Sequence, residues 1–532
     1  MRKALLLLIM SLIFFTALPA AAVDVKFSGS YYAQGWYVDN PSVLDKGETP
    51  GFGANTTWGT VDASAANYAT RDARTLRGAN AFYSQRFRLL TEFQVVEGLK
   101  LVTRFDALEK RWGDQGWAGS TGETQSRTQT PQGSPDPNGT RRGAANPKAQ
   151  ENLEFERAYL DFNVPFGKFQ VGYLQFITWG TSFLDTTLTA GGIRYLYSQG
   201  PWQAVAAIEK RGEWVGLNAN NIGIANDADR DVYDLGAIYK FKPGEAGILY
   251  QYTRSAQNKW EQGNGYLTQL NGFYPYVKAT FGNLFLEGEA MYMFGDLKSY
   301  ESTTVNASTG ASATGLAQNV GVRALGAYAH AKYDLKPAYF GVKFVYVSGD
   351  DQQDNDKVTG SMLQSQQMNR SFYPTLILWN DDYQNNVGNI SGNIANPAGV
   401  TSATANRRTG QSYAVRQEMD NVWFYQLYVG VKPTPKMDLK VAIAMANADK
   451  KPKSDVGTVG ATGYYSGRAV QEFVDGKYGT ELDFIGTYKI YDNLTYMVGF
   501  GYLWTGDYFK GYDANAKVKD NYLLSHKLTL NF

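Results

Sequence analysis

From residue 83 to 95 the chain alternates strictly between two kinds of side chain. Phe87, Leu89, Phe93 and Val95 share one parity, and Arg86, Arg88, Glu92 and Gln94 share the other. Residues two apart lie on the same face of a strand, so this segment predicts a strand with one apolar and one charged face. After Glu97-Gly98 the pattern returns, with Leu101, Thr103 and Phe105 opposed to Arg104 and Asp106. Near the beginning, Val25, Phe27, Tyr31, Ala33 and Tyr37 alternate with Lys26, Ser28, Ser30 and Gln34. At the end, Tyr522, Leu524, Leu528, Leu530 and Phe532 oppose Leu523, Ser525, Lys527, Thr529 and Asn531.

Between these segments the pattern predicts paired strands near 153–164 and 168–178, 187–197 and 202–211, 231–241 and 247–253, and 266–281 and 284–294. Further pairs follow near 322–333 and 339–348, 422–431 and 437–446, and 480–490 and 494–505. Within each pair the connection is a tight turn such as Pro165-Phe166-Gly167, Gly282-Asn283 or Asp492-Asn493, whereas the connections between pairs are mostly long and polar. A membrane-spanning barrel strand needs about 9–11 residues, and such barrels have even strand numbers, short turns on one side and long loops on the other. The fold expected is therefore all-β: a transmembrane antiparallel β-barrel of about 18 strands with short periplasmic turns and long extracellular loops. A soluble propeller or solenoid would show a fixed sequence period, and none recurs. A barrel of this size leaves an aqueous channel, because only small barrels fill with their own side chains.

Composition sharpens the compartment. Arg2 and Lys3 precede an apolar run, residues 4–18, and then Ala20-Ala21-Ala22, which together predict a cleaved signal peptide over 1–22 and a barrel over 23–532. No later segment approaches the roughly 20 apolar residues of a spanning helix. The chain carries 51 basic and 50 acidic residues, and losing Arg2 and Lys3 leaves 49 against 50, so nothing favours a nucleic-acid partner. Cysteine is absent, which excludes disulfides, a lipidated cysteine, thiolate metal sites and covalent haem, and no cofactor or metal is expected. The 37 tyrosines within a 14% aromatic content, at a mean hydropathy of −0.37, suit a barrel with aromatic girdles better than a soluble enzyme.

Several segments resemble known proteins. The last strand, ending on Phe532, is similar to the closing strand of Gram-negative outer-membrane proteins, whose terminal aromatic is an assembly signal; this implies the barrel-assembly machinery as a partner. Gln85-Arg86-Phe87-Arg88-Leu89 with Gly98-Leu99-Lys100, Gly172-Tyr173, Trp179-Gly180-Thr181, Tyr346-Val347-Ser348-Gly349-Asp350-Asp351 and, most extensively, residues 479–509 resemble the alginate-export-type outer-membrane porins. The resemblance implies an 18-stranded barrel that passes solutes, with an arginine-rich constriction in members exporting anionic polysaccharide. The near-neutral charge and mixed-sign lumen depart from that export pattern.

Strand parity turns Arg86, Arg88, Arg104, Arg157 and Arg194 into the lumen on strands two, three, four and six, an anion track along one wall. Glu287, Glu289, Glu481 and Asp483 are expected to line other walls, setting a transverse field across the water. Alternatively, these charges simply hydrate the lumen and pair with Glu92, Asp106 and Asp161 across neighbouring strands. Within the connection 350–420, an apolar run containing Phe372, Tyr373, Leu376, Leu378 and Trp379 is unsuited to bulk water. It is expected to fold into the barrel mouth as a constriction, with rim packing or a homo-oligomer contact as the alternatives. Asp350, Asp351, Asp354 and Asp356 could gather a calcium ion but lack the glycine and closing glutamate of an EF-hand loop. The two histidines, His330 on the lumen parity and His526 on the outer one, have no serine or aspartate at a catalytic spacing, so no enzyme is expected.

The expected function is an outer-membrane porin in a Gram-negative bacterium, passing small polar or anionic solutes by diffusion and surrounded by outer-membrane lipids and lipopolysaccharide. Two other uses of the same barrel stay open: a sheath around an electron-transfer cytochrome complex, and an export pore for an anionic polysaccharide.

Overall fold

The alternating segments become strands, and the strands close on themselves. A computed structural model describes residues 23–45, 79–112, 153–176, 178–185, 188–213, 229–256, 266–299, 320–350, 357–360, 371–388, 390, 392, 415, 418–455 and 470–532. The predicted signal peptide, the polar connection 113–150, and Asp351, Asp354 and Asp356 lie outside the described residues. Among the described residues, eighteen strands form the barrel. The first nine are β1 (Asp24–Asp39), β2 (Asn80–Val96), β3 (Leu99–Arg111), β4 (Leu153–Val164), β5 (Gly167–Gln175), β6 (Thr189–Gln199), β7 (Trp202–Gly212), β8 (Arg230–Phe241) and β9 (Gly244–Ser255). They continue as β10 (Tyr266–Phe281), β11 (Leu284–Ser299), β12 (Val320–Leu335), β13 (Ala338–Val347), β14 (Val422–Thr434), β15 (Met437–Asn447), β16 (Lys477–Tyr491), β17 (Leu494–Thr505) and β18 (Asn521–Asn531). Each pairs antiparallel with its sequence neighbours, and the short strand Lys357–Val358 adds in parallel beside β12.

Closure is made by β1 and β18, in register from Ser30 opposite Asn531 to Asp39 opposite Tyr522. The Gly29 N–H donates to the Phe532 carbonyl at 2.8 Å, and the Phe532 N–H donates back at 3.0 Å. The Phe532 ring stacks on Phe87 of β2 at 6.3 Å on the outer face. Inside the seam, the Gln34 side-chain amide donates to the Ser525 hydroxyl at 3.0 Å. Lipid offers no hydrogen-bond partners, so a spanning sheet has to satisfy every backbone group in this way.

All eight connections within strand pairs are two residues long, from Glu97-Gly98 to Asp492-Asn493. The intervening connections are longer, up to the stretch 348–421 between β13 and β14. The expected one-sidedness is therefore observed. The outer face carries Phe27, Phe155, Leu235, Leu427 and Val429, all well exposed and suited to lipid. His526 lies on this face against the rings of Tyr83 and Tyr496.

Two local departures from simple parity matter for the lumen. A bulge sets Arg104 opposite Arg157 and Phe105 opposite Phe155, so Glu156 is the extra residue of β4 and reaches the inner side beside Arg104. In addition, β5 stops at Gln175 and β6 starts at Thr189, earlier and later than the alternation suggested, because residues 178–185 leave the wall and enter the barrel.

The seam makes a direct test available. Replacing Phe532 by Asp places a charge against Phe87 and lipid. This variant is expected to lose most of the heat-modifiable, folded species on gels from isolated membranes, whereas removing 12 residues from the connection 113–150 leaves it.

Candidate functional site: the lumen and its two inward loops

The inner faces of the strands are not uniformly polar, and their glycines show where something else lies. On β17, Gly499 and Gly501 point inward, and a Cβ on either would sit 3.1–3.2 Å from Leu376. On β8, a Cβ on Gly236 would sit 2.9 Å from the Trp179 ring. The wall has given up side chains at these points to let two loops, 178–185 and 371–388, lie inside it.

The first loop docks on β8 to β12. Its Trp179 indole N–H donates to the Tyr274 carbonyl at 2.9 Å, and the ring meets Tyr276 edge-on at 5.4 Å. Gly180 adopts a φ of +63°, a left-handed conformation open to glycine, and accepts from Lys278 at 2.9 Å. Thr181 donates to Glu289 twice, from its N–H at 3.2 Å and its hydroxyl at 2.6 Å. Phe183 is fully buried against Tyr328.

The second loop crosses the lumen. Phe372 packs on Tyr328 at 5.1 Å and meets Phe183 of the first loop at 5.7 Å, so the loops share one apolar cluster inside the barrel. The N–H groups of Leu376, Ile377 and Leu378 all donate to the carboxyl of Glu481, at 3.0, 2.7 and 2.9 Å. Trp379 is buried between Phe424 and Tyr478. Asn380 caps the short helix α1 (Asp381–Asn386) by accepting from the Tyr383 N–H at 2.9 Å. From α1, Asp382 reaches Lys527 of β18 at 2.7 Å, the Tyr383 hydroxyl accepts from Asn521 at 3.0 Å, and the Asn386 carbonyl accepts from Arg111 of β3. Burial pushes the Tyr383 phenol well above its usual range, so it stays neutral.

Of the five residues expected to constrict, Phe372, Leu378 and Trp379 are buried in this plug and Leu376 is partly buried. Tyr373 is 45% exposed and bonds Asp381 at 3.3 Å, presenting a polar tip to the remaining water. The apolar run was legible as something that could not stay in solvent. Its anchor, Glu481, was not.

The acidic expectation needs correction. Glu287, Glu289, Glu481 and Asp483 do face inward, but three of them are buried rather than water-lining: Glu289, Glu481 and Asp483. Glu289 and Glu481 hold loops. Glu287, partly buried, accepts from Tyr328 at 2.7 Å and meets the His330 ring nitrogen at 3.0 Å. A free acidic wall is thus absent at these four positions, because the loops need acceptors for their own buried N–H groups.

The five arginines do share one wall, and their partners divide them. Arg88 binds Asp106 through two parallel bonds of 2.7 and 2.6 Å, the fork geometry of a strong pair. Arg104 reaches Glu156 at 3.2 Å and Asp106 at 3.9 Å, and Arg86 reaches Glu109 at 3.5 Å. Arg157 bonds Gln175. Arg194 bonds Gln170 at 3.2 Å and the Gln175 carbonyl, with its guanidinium 5.1 Å from the Phe176 ring. Among the described residues, Arg157 and Arg194 hydrogen-bond only to neutral groups, with Glu156 and Asp106 close enough to act on Arg157 and Glu209 and Asp234 on Arg194. Which of the five binds a carboxylate depends on the cross-strand register, which parity alone does not give. Asp350, the one described member of the acidic run, accepts from the Thr359 N–H at 2.8 Å, which is a structural role.

Deleting residues 372–379 removes the stretch that crosses the lumen. Single-channel recording of this variant is expected to show a conductance raised about twofold or more, with the barrel still heat-modifiable.

No protein-family model matches the chain, and no curated protein matches it in sequence. Three solved structures show the level of likeness. A BenF-like porin from Pseudomonas fluorescens Pf-5 is 10% identical over 95% of this chain and 99% of its own, with a TM-score of 0.44. The outer-membrane protein OpdK from Pseudomonas aeruginosa gives 10% identity, 95% and 99% coverage and 0.43. An anion-selective porin from Comamonas acidovorans gives 10% identity, 96% and 99% coverage and 0.40. At these scores the architecture rests on the chain's own strand pairing and closure.

Proposed function

We propose that this chain is an outer-membrane porin that passes small polar or anionic solutes by diffusion. The observation that carries the proposal is the inner wall of β2 to β6. An eighteen-stranded barrel is wide enough for an aqueous channel. Two inward loops narrow this one, and the wall of β4 and β6 carries Arg157 and Arg194, whose hydrogen bonds among the described residues go to neutral groups instead of carboxylates. Positive charge in a water-filled passage with low-dielectric walls raises the local concentration of anions. The paired arginines contribute less, because Asp106, Glu109 and Glu156 return negative charge to the same wall. A weak anion preference follows, rather than strict selectivity.

The same proposal takes the Gram-negative outer membrane as the location, with lipids and lipopolysaccharide around the barrel and the assembly machinery reading its last strand. It also includes a finer kinship with the alginate-export-type porins, supported by the motifs of residues 85–89 and 479–509. Loops that occupy the lumen favour small solutes over a polymer or an enclosed cytochrome.

Reversal potentials in a salt gradient across a planar bilayer test the charge reading. The wild type is expected to favour anions modestly. The double variant Arg157→Ala and Arg194→Ala is expected to move toward no preference, and Asp106→Asn, which releases two arginines, toward a stronger anion preference. Clear cation selectivity of the wild type would overturn the proposal.

A further inference from the structure

Glu481 faces inward without reaching the water of the lumen. It is fully buried on β16, and its two carboxyl oxygens take the N–H groups of three consecutive loop residues, Leu376, Ile377 and Leu378. Three successive N–H groups converging on one side chain leave the loop backbone with no freedom to slide. Unmade, each of those buried donors would be an unsatisfied group and would drive the segment back toward water. The surroundings are shaped for this contact. Gly499 and Gly501 on the adjacent strand β17 leave a trough that Leu376 and Ile377 fill, and Gln426 of β14 donates to the Pro374 carbonyl at 2.5 Å on the other side. Trp379 packs between Phe424 and Tyr478 just beyond, and the other anchors sit further along the chain, at Asp382, Tyr383 and Asn386, or at Phe372 on the first loop. Glu481 therefore holds the middle of the span, between Pro374 and Trp379, and its bonds are the ones that take the three consecutive backbone N–H groups there.

We infer that Glu481 is the positioning residue that holds residues 376–378 across the lumen and thereby sets the bore of the channel. Without it, the segment between Phe372 and α1 swings off the β16–β17 wall and the passage widens. The part of this inference that concerns conductance rests on the porin reading, whereas the tether itself does not.

Two measurements on the full chain separate them. The protein has no cysteine, so Ile377→Cys introduces a unique thiol at a fully buried site. In folded, heat-modifiable protein, its labelling by a water-soluble maleimide is expected to be slow with Glu481 present. It should be at least about tenfold faster with Glu481→Ala, the scale set by loss of a few buried hydrogen bonds. Glu481→Gln, which keeps one acceptor oxygen, is expected to fall between. In planar bilayers, Glu481→Ala is expected to raise single-channel conductance and open-channel noise, and to have no further effect once residues 372–379 are deleted. Unchanged labelling in the folded variant would overturn the tether. Faster labelling without any change in a conducting wild-type background would overturn its control of the bore. Faster labelling in a chain that forms no channel at all would leave the tether standing and overturn the porin reading instead.

Discussion

Everything in this molecule depends on the hydrogen bonds between β1 and β18. An open sheet in lipid would leave two rows of unpaired backbone groups, and each such group costs several kcal/mol in hydrocarbon. Closing the ring removes both rows at once and fixes the register of every strand between them. That register decides which residues face water and which face lipid, since a slip of one residue exchanges the two faces. Gly29, Phe532 and the inner pair Gln34–Ser525 are thus upstream of the lumen chemistry, and the seam strand β1 pairs directly with β2, which carries Arg86 and Arg88.

Closure solves the backbone problem and creates another. Eighteen strands enclose a space too wide to be filled by wall side chains, and an unobstructed bore of that size would discriminate poorly. The chain answers by sending two connections inward and giving each a carboxyl anchor, Glu289 for residues 178–185 and Glu481 for residues 371–388. Phe183 and Phe372 then join the two loops within an apolar cluster that also takes in inward residues of the wall such as Tyr328, Phe424 and Tyr478. Helix α1 carries this inner layer to the seam itself through Asp382–Lys527 and Tyr383–Asn521. Loop and barrel closure are consequently linked: the last strand supplies both the edge that completes the ring and two of the groups that hold the plug.

The sequence discloses the wall more fully than its contents, for a physical reason. A strand between lipid and water must alternate, so the faces of β1, β2, β3 and β18 and the inward direction of all five arginines could be read by counting in twos. The bulge at Glu156 escaped, because nothing local distinguishes an extra residue from a regular one. The two inward loops were only half legible. Residues 371–379 are too apolar for bulk water, which signals burial, but their partners, such as Tyr328, Phe183 and Glu481, are far away in the chain and no local rule connects them. One signal was available: Gly499, Gly501 and Gly236 sit at inward positions where a water-filled barrel would be expected to carry polar side chains. A glycine on the inner face of a wide barrel marks a place where a loop comes close.

The distribution of charge also separates two quantities that composition merges. The chain is near neutral overall, and among the described residues several charges cancel within a few ångströms, as in Arg88–Asp106, Lys100–Glu92 and Lys168–Asp161. Close pairs of that kind have little field at a distance, because an ion in the channel sees both members and the surrounding water screens the remainder. On the proposed porin reading an ion would sense what is left after pairing, and on the wall of β4 and β6 Arg157 and Arg194 are hydrogen-bonded by glutamines instead of carboxylates. Glutamine fixes a guanidinium in place without neutralising it. A neutral protein can in this way carry a positive track, provided the acids of the lumen are spent on loops and on other arginines.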